Sequence, residues 1–167
     1  GGALYRLDPG SSVATILPSV TISNGIDWSP DGRTMYYVDT PTLRVDCFDF
    51  DPASGSISNR RPFVEIDRPG AYPDGLTLDA EGNLWLALWG GWGVRCYSPR
   101  GELIATVDVP VSQTSSCAFG GENLDDLYIT TARGGIPEDE LAGQPHAGSL
   151  FRVRPGVKGR APNRFGI

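Results

Sequence analysis

The sequence predicts an all-β chain built from repeated antiparallel sheets, and three observations carry that expectation. Residues 24–39 (NGIDWSPDGRTMYYVD), 74–87 (DGLTLDAEGNLWLA) and 115–130 (SSCAFGGENLDDLYIT) each pass from a small polar opening, through an apolar stretch and a turn, into an aromatic strand. Aligning Trp28, Leu78 and Phe119 sets the copies 50 and 41 residues apart, the period of a four-stranded propeller blade of about 40 to 50 residues. With 22 Gly, 14 Pro and 40% hydrophobic residues, the chain is too apolar for disorder and too rich in turn formers for a helical protein.

Taken in order, the strand signals begin with Gly2 to Leu7 and Ser12 to Ile16, a partial set ahead of the first repeat. In the repeats themselves, Ile26 with Trp28, Leu76 with Leu78, and then Tyr37, Leu84, Leu86 and Ile129 alternate or cluster as short half-buried strands. Asp31-Gly32, Glu81-Gly82 and Gly120-Gly121 read as hairpin turns, where Gly supplies the positive φ of a tight reversal. Leu43 to Phe50, Val94 to Tyr97 and Leu103 to Val109 follow as further strands, and Ser149 to Val153 closes the series. Three repeats with partial strands on either side make about three to four blades, whereas propellers close with about four to eight. The expected domain is therefore a partial β-propeller over residues 1–167, part of a larger protein, with open blade faces through which it would self-associate.

Charge and cysteine usage narrow the function classes. A net charge of −6 argues against nucleic acid as a partner, because a phosphate-binding face needs a Lys and Arg surplus, and Arg60-Arg61 is too short to reverse that. No window approaches the roughly 18 to 20 apolar residues of a membrane span, and no basic-then-apolar leader opens the chain at Gly1-Gly2. Cys47, Cys96 and Cys117 are odd in number and widely spaced, which predicts buried free thiols and a cytoplasmic location. Without a CxxC pair and with His146 alone, a structural zinc site has no ligands to draw on.

Local sequence leaves the candidate functional residues open between two readings. Asn24-Gly25 and Asp74-Gly75 are hairpin-turn dipeptides in other settings, yet they open equivalent inner strands of the repeat and would aim at one channel mouth. Ser115 and Ser116 occupy the same position in the third copy, either lining a pocket for substrate hydroxyls or satisfying local backbone groups. Trp85, Trp89 and Trp92 suit either packing or a sugar-stacking face, with Trp89 and Trp92, flanked by glycines, the stronger pocket-rim candidates. As nucleophiles the serines are poor candidates, because no Gly-x-Ser-x-Gly elbow is present and His146 lies in a glycine-bounded loop. Asp39, Asp49 and Asp51 read as strand-end and loop carboxylates.

Longer stretches carry a specific resemblance. The runs 22–29 (ISNGIDWS), 36–39 (YYVD), 46–51 (DCFDFD), 57–61 (ISNRR), 73–82 (PDGLTLDAEG), 114–121 (TSSCAFGG), 147–151 (AGSLF) and 156–159 (GVKG) resemble, in order, the carboxy-terminal half of the regucalcin (senescence marker protein) and gluconolactonase family. The resemblance implies a six-bladed propeller whose channel holds one divalent metal, and the hydrolysis of sugar lactones. It implies ligand roles for Asn24, in the NG-hydrophobic-DWS motif, and Asp74, in the PDG motif. The family's third ligand, a glutamate, has no counterpart in this sequence. Amide and carboxylate oxygens suit a hard cation, calcium first, with magnesium, manganese or zinc as alternatives. Asp74 is expected to double as the base that takes a proton from the attacking water. A non-catalytic calcium-binding or interaction propeller, and an organophosphate or ester hydrolase at the same metal, are the competing functions.

Overall fold

The computed structural model describes residues 1–163. Thirteen strands form four antiparallel sheets. β1 (Gly2–Leu7) and β2 (Val13–Val20) make a hairpin. β3 (Ser23–Trp28), β4 (Thr34–Asp39), β5 (Arg44–Asp51) and β6 (Ser56–Glu65) form the first complete blade in sequence order. β7 (Tyr72–Leu78), β8 (Leu84–Trp89), β9 (Gly93–Tyr97) and β10 (Leu103–Asp108) form the second, and β11 (Thr114–Gly120), β12 (Asp126–Thr131) and β13 (Leu150–Val153) a three-stranded third. The first strands of the three blades, β3, β7 and β11, are spatial neighbours, so the chain is a partial β-propeller with those strands at its axis.

The side-chain period of a strand explains why blades stack. Along β8, Leu84, Leu86 and Leu88 point into one core shared with Tyr36, Val38, Val45 and Leu76. Their alternating neighbours Trp85 and Ala87 enter a second core with Val94, Val111, Cys117, Leu127 and Ile129. β4 divides in the same way, with Tyr36 and Val38 on the side of the second blade and Met35 and Tyr37 on the side of the β1–β2 hairpin with Val20 and Leu17. A strand buried on both faces reads as a continuous apolar run, which is what YYV and LWLAL are. The hairpin covers its side incompletely, leaving Tyr5, Leu7 and Val13 exposed.

The expected hairpins form, and Gly32, Gly82 and Gly121 take φ of 70°, 86° and 82°. β6 is the strand that the sequence pattern did not reveal. It lies outermost in its blade, mostly exposed, so it lacks apolar alternation, and its Pro62 sits beside a register shift, where a missing N–H is tolerated. The basic pair on it is matched by its neighbour strand. Arg60 bonds Asp46 at 2.6 Å and Arg61 bonds Asp49 at 2.8 Å. All three cysteines are buried and unpaired, and no helix among the described residues is long and apolar enough to cross a membrane.

Asn24-Gly25 and Asp74-Gly75 are not turns. Each lies inside an axial strand at a bulge. Pairing of β3 with β4 advances from Ser23↔Asp39 to Ile26↔Tyr37, and pairing of β7 with β8 from Pro73↔Leu88 to Leu76↔Leu86. Two residues thus oppose one, Asn24 and Gly25 against Val38 and Asp74 and Gly75 against Ala87, which bends the strand and re-aims the bulged side chains. β11 slips at the equivalent place, between Thr114 and Ser116. Glycine is required here by proximity rather than by φ. A Cβ on Gly25 would lie 2.7 Å from the Asp74 carbonyl oxygen and the Leu76 nitrogen, and one on Gly75 would overlap the Ser116 side chain. Gly25→Ala is accordingly expected to destabilise the chain by about 1–3 kcal/mol, the usual cost of overpacking. Gly134→Ala, where a Cβ meets nothing within 4 Å, should stay within about 0.5 kcal/mol. Urea denaturation of the two variants checks the contrast.

Candidate metal and catalytic site

The three bulges put chemistry at one end of the axial strands. β8 runs antiparallel to β7, so its last residue, Trp89, pairs with Tyr72 at the start of β7, on the same end as Asp74. The bulge of β3 presents Asn24, that of β7 presents Asp74, and that of β11 presents Ser115 and Ser116. The first two meet. Gly25, next to Asn24, lies against the Asp74 carbonyl, and the Asn24 side chain is near enough to the Asp74 carboxyl to favour its ionised form.

Burial is the dominant influence on Asp74 and pushes its carboxyl above the ordinary aspartate range. The polar contact with Asn24 and the Gly75 N–H pull it partly back. Asn24 is itself held. Its Nδ2 donates to Thr40 Oγ1 at 3.1 Å, and that hydroxyl donates to the Pro73 carbonyl at 2.9 Å. Thr40 opens a 3₁₀ turn, Thr40–Thr42, immediately after β4. The same end is fixed by Asp39, 7% exposed, whose carboxylate accepts from the Thr21 and Ile22 N–H groups at 2.9 and 2.8 Å. Tyr37 adds a hydrogen bond from its hydroxyl to Ser23 Oγ at 2.7 Å.

The other expected contributors are divided. Ser115 Oγ shares a 2.9 Å hydrogen bond with Thr130 Oγ1, and Ser116 rests against Gly75. Trp92 is 41% exposed with φ of 59°, in the loop between β8 and β9, and Trp89 is half-buried. Trp85 is a core residue, 3% exposed, with Nε1 donating to the buried Asp79 at 3.0 Å. His146 is exposed, edge-on to Phe151. Thr40 had no chemical motif to mark it.

At the opposite end of the axial strands lies a cavity of about 270 Å³ lined by Asp27, Thr77, Leu78, Phe119 and Arg160 among others. Its carboxylate is already engaged. Asp27 accepts from the Leu78 N–H at 2.7 Å, from the Trp28 N–H at 2.7 Å and from Arg160 at 3.2 Å. This end is a clamp between two blades and the carboxy-terminal segment.

A family model described as the SMP-30/gluconolactonase/LRE-like region matches residues 1–133. The chain belongs to that family. Human regucalcin is 44% identical over 166 residues, which are 98% of this chain and 56% of the human protein. The chain thus spans about half the length of the curated relatives it matches. Among solved structures, regucalcin from Agrobacterium tumefaciens, a calcium-binding protein, superposes with a TM-score of 0.88 at 33% identity, covering 95% of this chain and 54% of that one. A gluconolactonase from Xanthomonas campestris gives 0.66 at 30% identity, covering 77% and 41%.

The oxygen donors Asn24 and Asp74 fit a hard divalent cation. The Asn24 amide donates from Nδ2 to Thr40, which leaves Oδ1 as its acceptor, and the Asp74 carboxyl lies near the same side chain. Among those residues, no group of three or more His, Cys, Asp or Glu gathers to complete a ligand set. The chain therefore supplies a pair of donors.

A linkage test follows from the burial of Asp74. Its folded pKa lies above its unfolded value, so its contribution to stability is fully present below the ordinary aspartate pKa of about 3.9. That contribution is lost as pH rises through the folded value. Asp74→Asn is expected to raise the Tm of chelator-treated protein near neutral pH, and the gain should shrink as pH falls toward that range. A Tm at or below that of the parent near neutrality would show that burial does not penalise this charge.

Proposed function

We propose that the chain carries one catalytic half of a metal-dependent lactonase that opens sugar lactones to aldonic acids. What supports this most directly is the meeting of Asn24 and Asp74 on adjacent axial strands, at equivalent bulges, with the carboxylate half-buried. Asn24 Oδ1 and the Asp74 carboxylate are two ligands of one divalent ion, calcium first. A glutamate from the part of the relatives beyond this chain's span would complete the protein ligand set that the family resemblance implies. A cation held by Asn24 and Asp74 would supply Lewis-acid polarisation of the lactone carbonyl.

Asp74 does the proton work. Its carboxylate accepts a proton from water as the water oxygen bonds to the carbonyl carbon. Cleavage of the ring C–O bond then leaves an alkoxide, which takes that proton back to give the hydroxy acid. The position of Asp74 suits it to this task, because its half-buried carboxylate has few protein donors and keeps an oxygen open to a water beside the ion. Ser115, Trp89 and Trp92, at the same end of the blades, receive the sugar through a hydroxyl and two aromatic faces. Ser116 lines the base of the mouth beside Gly75.

Gluconolactone hydrolysis, corrected for the spontaneous rate, tests this with chelator and with re-added calcium, magnesium, manganese or zinc. Metal should restore turnover. Asp74→Asn should lower kcat/KM by about 100-fold or more, and Asn24→Ala should raise the metal concentration required. Metal binding without turnover of any lactone would favour a calcium-binding propeller. Turnover unaffected by both substitutions would overturn the proposed mechanism.

A further inference from the structure

Thr40 is the polar side chain next to the proposed ligands for which the mechanism has no use. Its hydroxyl has one proton, and that proton is given to the Pro73 carbonyl at 2.9 Å. Toward Asn24 it is therefore an acceptor only, and it takes the Nδ2 hydrogen at 3.1 Å. A flipped Asn24 amide would set Oδ1 against an oxygen with no proton left to give. The hydroxyl thus holds the NH₂ end of the amide from the first blade, on the same side from which that end favours the Asp74 carboxylate.

The same hydroxyl reaches across two blades. Thr40 follows β4 of the first blade, Asn24 lies on β3 beside it, and Pro73 directly precedes Asp74 on β7 of the second. Pro73 is buried and cannot donate from its own nitrogen, so Thr40 Oγ1 ties its carbonyl, and with it the bulge that carries Asp74, to the neighbouring blade. Thr40 is held in turn by its place in the Thr40–Thr42 turn, where Leu43 N–H donates to the Thr40 carbonyl at 3.1 Å.

We infer that Thr40 is a positioning residue for the metal pair, fixing the polarity of the Asn24 amide so that Oδ1 faces the ion and joining that amide to the strand that bears Asp74. This rests on Asn24 and Asp74 being the ligands proposed above. Outer partners of metal ligands orient them, and their loss costs roughly 10- to 100-fold in metal affinity.

The test compares the parent chain with Thr40→Val, Thr40→Ser, Asn24→Ala and the double variant T40V/N24A. Calcium affinity is measured by calorimetry, and the side-chain NH₂ resonances of Asn24 are followed by ¹⁵N NMR in metal-free protein. Thr40→Val should weaken calcium binding about 10- to 100-fold and shift the Asn24 NH₂ pair. Thr40→Ser, which keeps the hydroxyl, should restore both. In the Asn24→Ala background Thr40→Val should cost clearly less than in the parent, since only the tie to the Pro73 carbonyl is then left to lose. Equal losses in the two backgrounds, failure of serine to rescue, or an unmoved NH₂ pair would each overturn the inference. If Asn24→Ala leaves calcium affinity intact, the ligand assignment itself fails, while the NH₂ resonances still report whether Thr40 orients the amide. Should Thr40→Val fail to fold, Thr40→Ala removes the hydroxyl without placing a methyl group against the amide.

Discussion

The close approach of the axial strands is the constraint on which the rest of the molecule depends. β3, β7 and β11 lie side by side but pair with strands of their own blades, so their mutual contact is made by packing and side-chain hydrogen bonds. At that contact the Gly25 backbone meets the Asp74 carbonyl, and Gly75 meets Ser116. Hydrogen atoms are all that fits there. The bulges that bring these glycines inward also re-aim the residues beside them, so the geometry that lets blades converge presents Asn24 and Asp74 together.

Blade stacking supplies the energy that convergence requires. Each central strand gives alternate side chains to different cores, and Leu84, Leu86, Leu88, Ala87 and Val38 are wholly excluded from solvent. A blade standing alone would expose one of these faces, and burial of apolar surface at about 25 cal/mol per Å² is what opposes its chain entropy. Two carboxylates, Asp27 half-buried and Asp79 buried, then set the register. Asp27 accepts backbone N–H groups from two blades, and Asp79 gathers the N–H groups of Glu81 and Asn83 with the Trp85 indole. Each is satisfied by fixed donors, as a buried carboxylate must be.

Asp74 differs from these two because it is buried beside fewer donors, with Asn24 and the Gly75 N–H as its polar partners. A structural carboxylate would be better satisfied. Under-satisfied burial is the condition in which a cation or a proton finds a partner. Family membership agrees with that physical reading and supplies its context, since relatives include a calcium-binding protein and a gluconolactonase.

Much of this was legible in the residues. The period of the repeat located the three blades, turn glycines marked the hairpins, and alternation of apolar residues located the buried strands, because each of these signals is local and answers to backbone sterics or side-chain period. Outer strand β6 escaped because solvent on its exposed side removes the alternation. The NG and DG dipeptides were ambiguous for a different reason. Identical residues serve a turn through positive φ or an interior strand through lack of a Cβ, and only the arrival of β7 against β3, and β11 against β7, decides between them. Trp85 and Thr40 depended likewise on partners that folding brings close, an aspartate six residues away for the indole and a carbonyl 33 residues away for the hydroxyl. Sequence determined the strands other than β6, their order and the residue types offered at the axis, since those follow from local chemistry. Tertiary structure alone decided which of them meet, because contact between strands some fifty residues apart is a property of how blades pack.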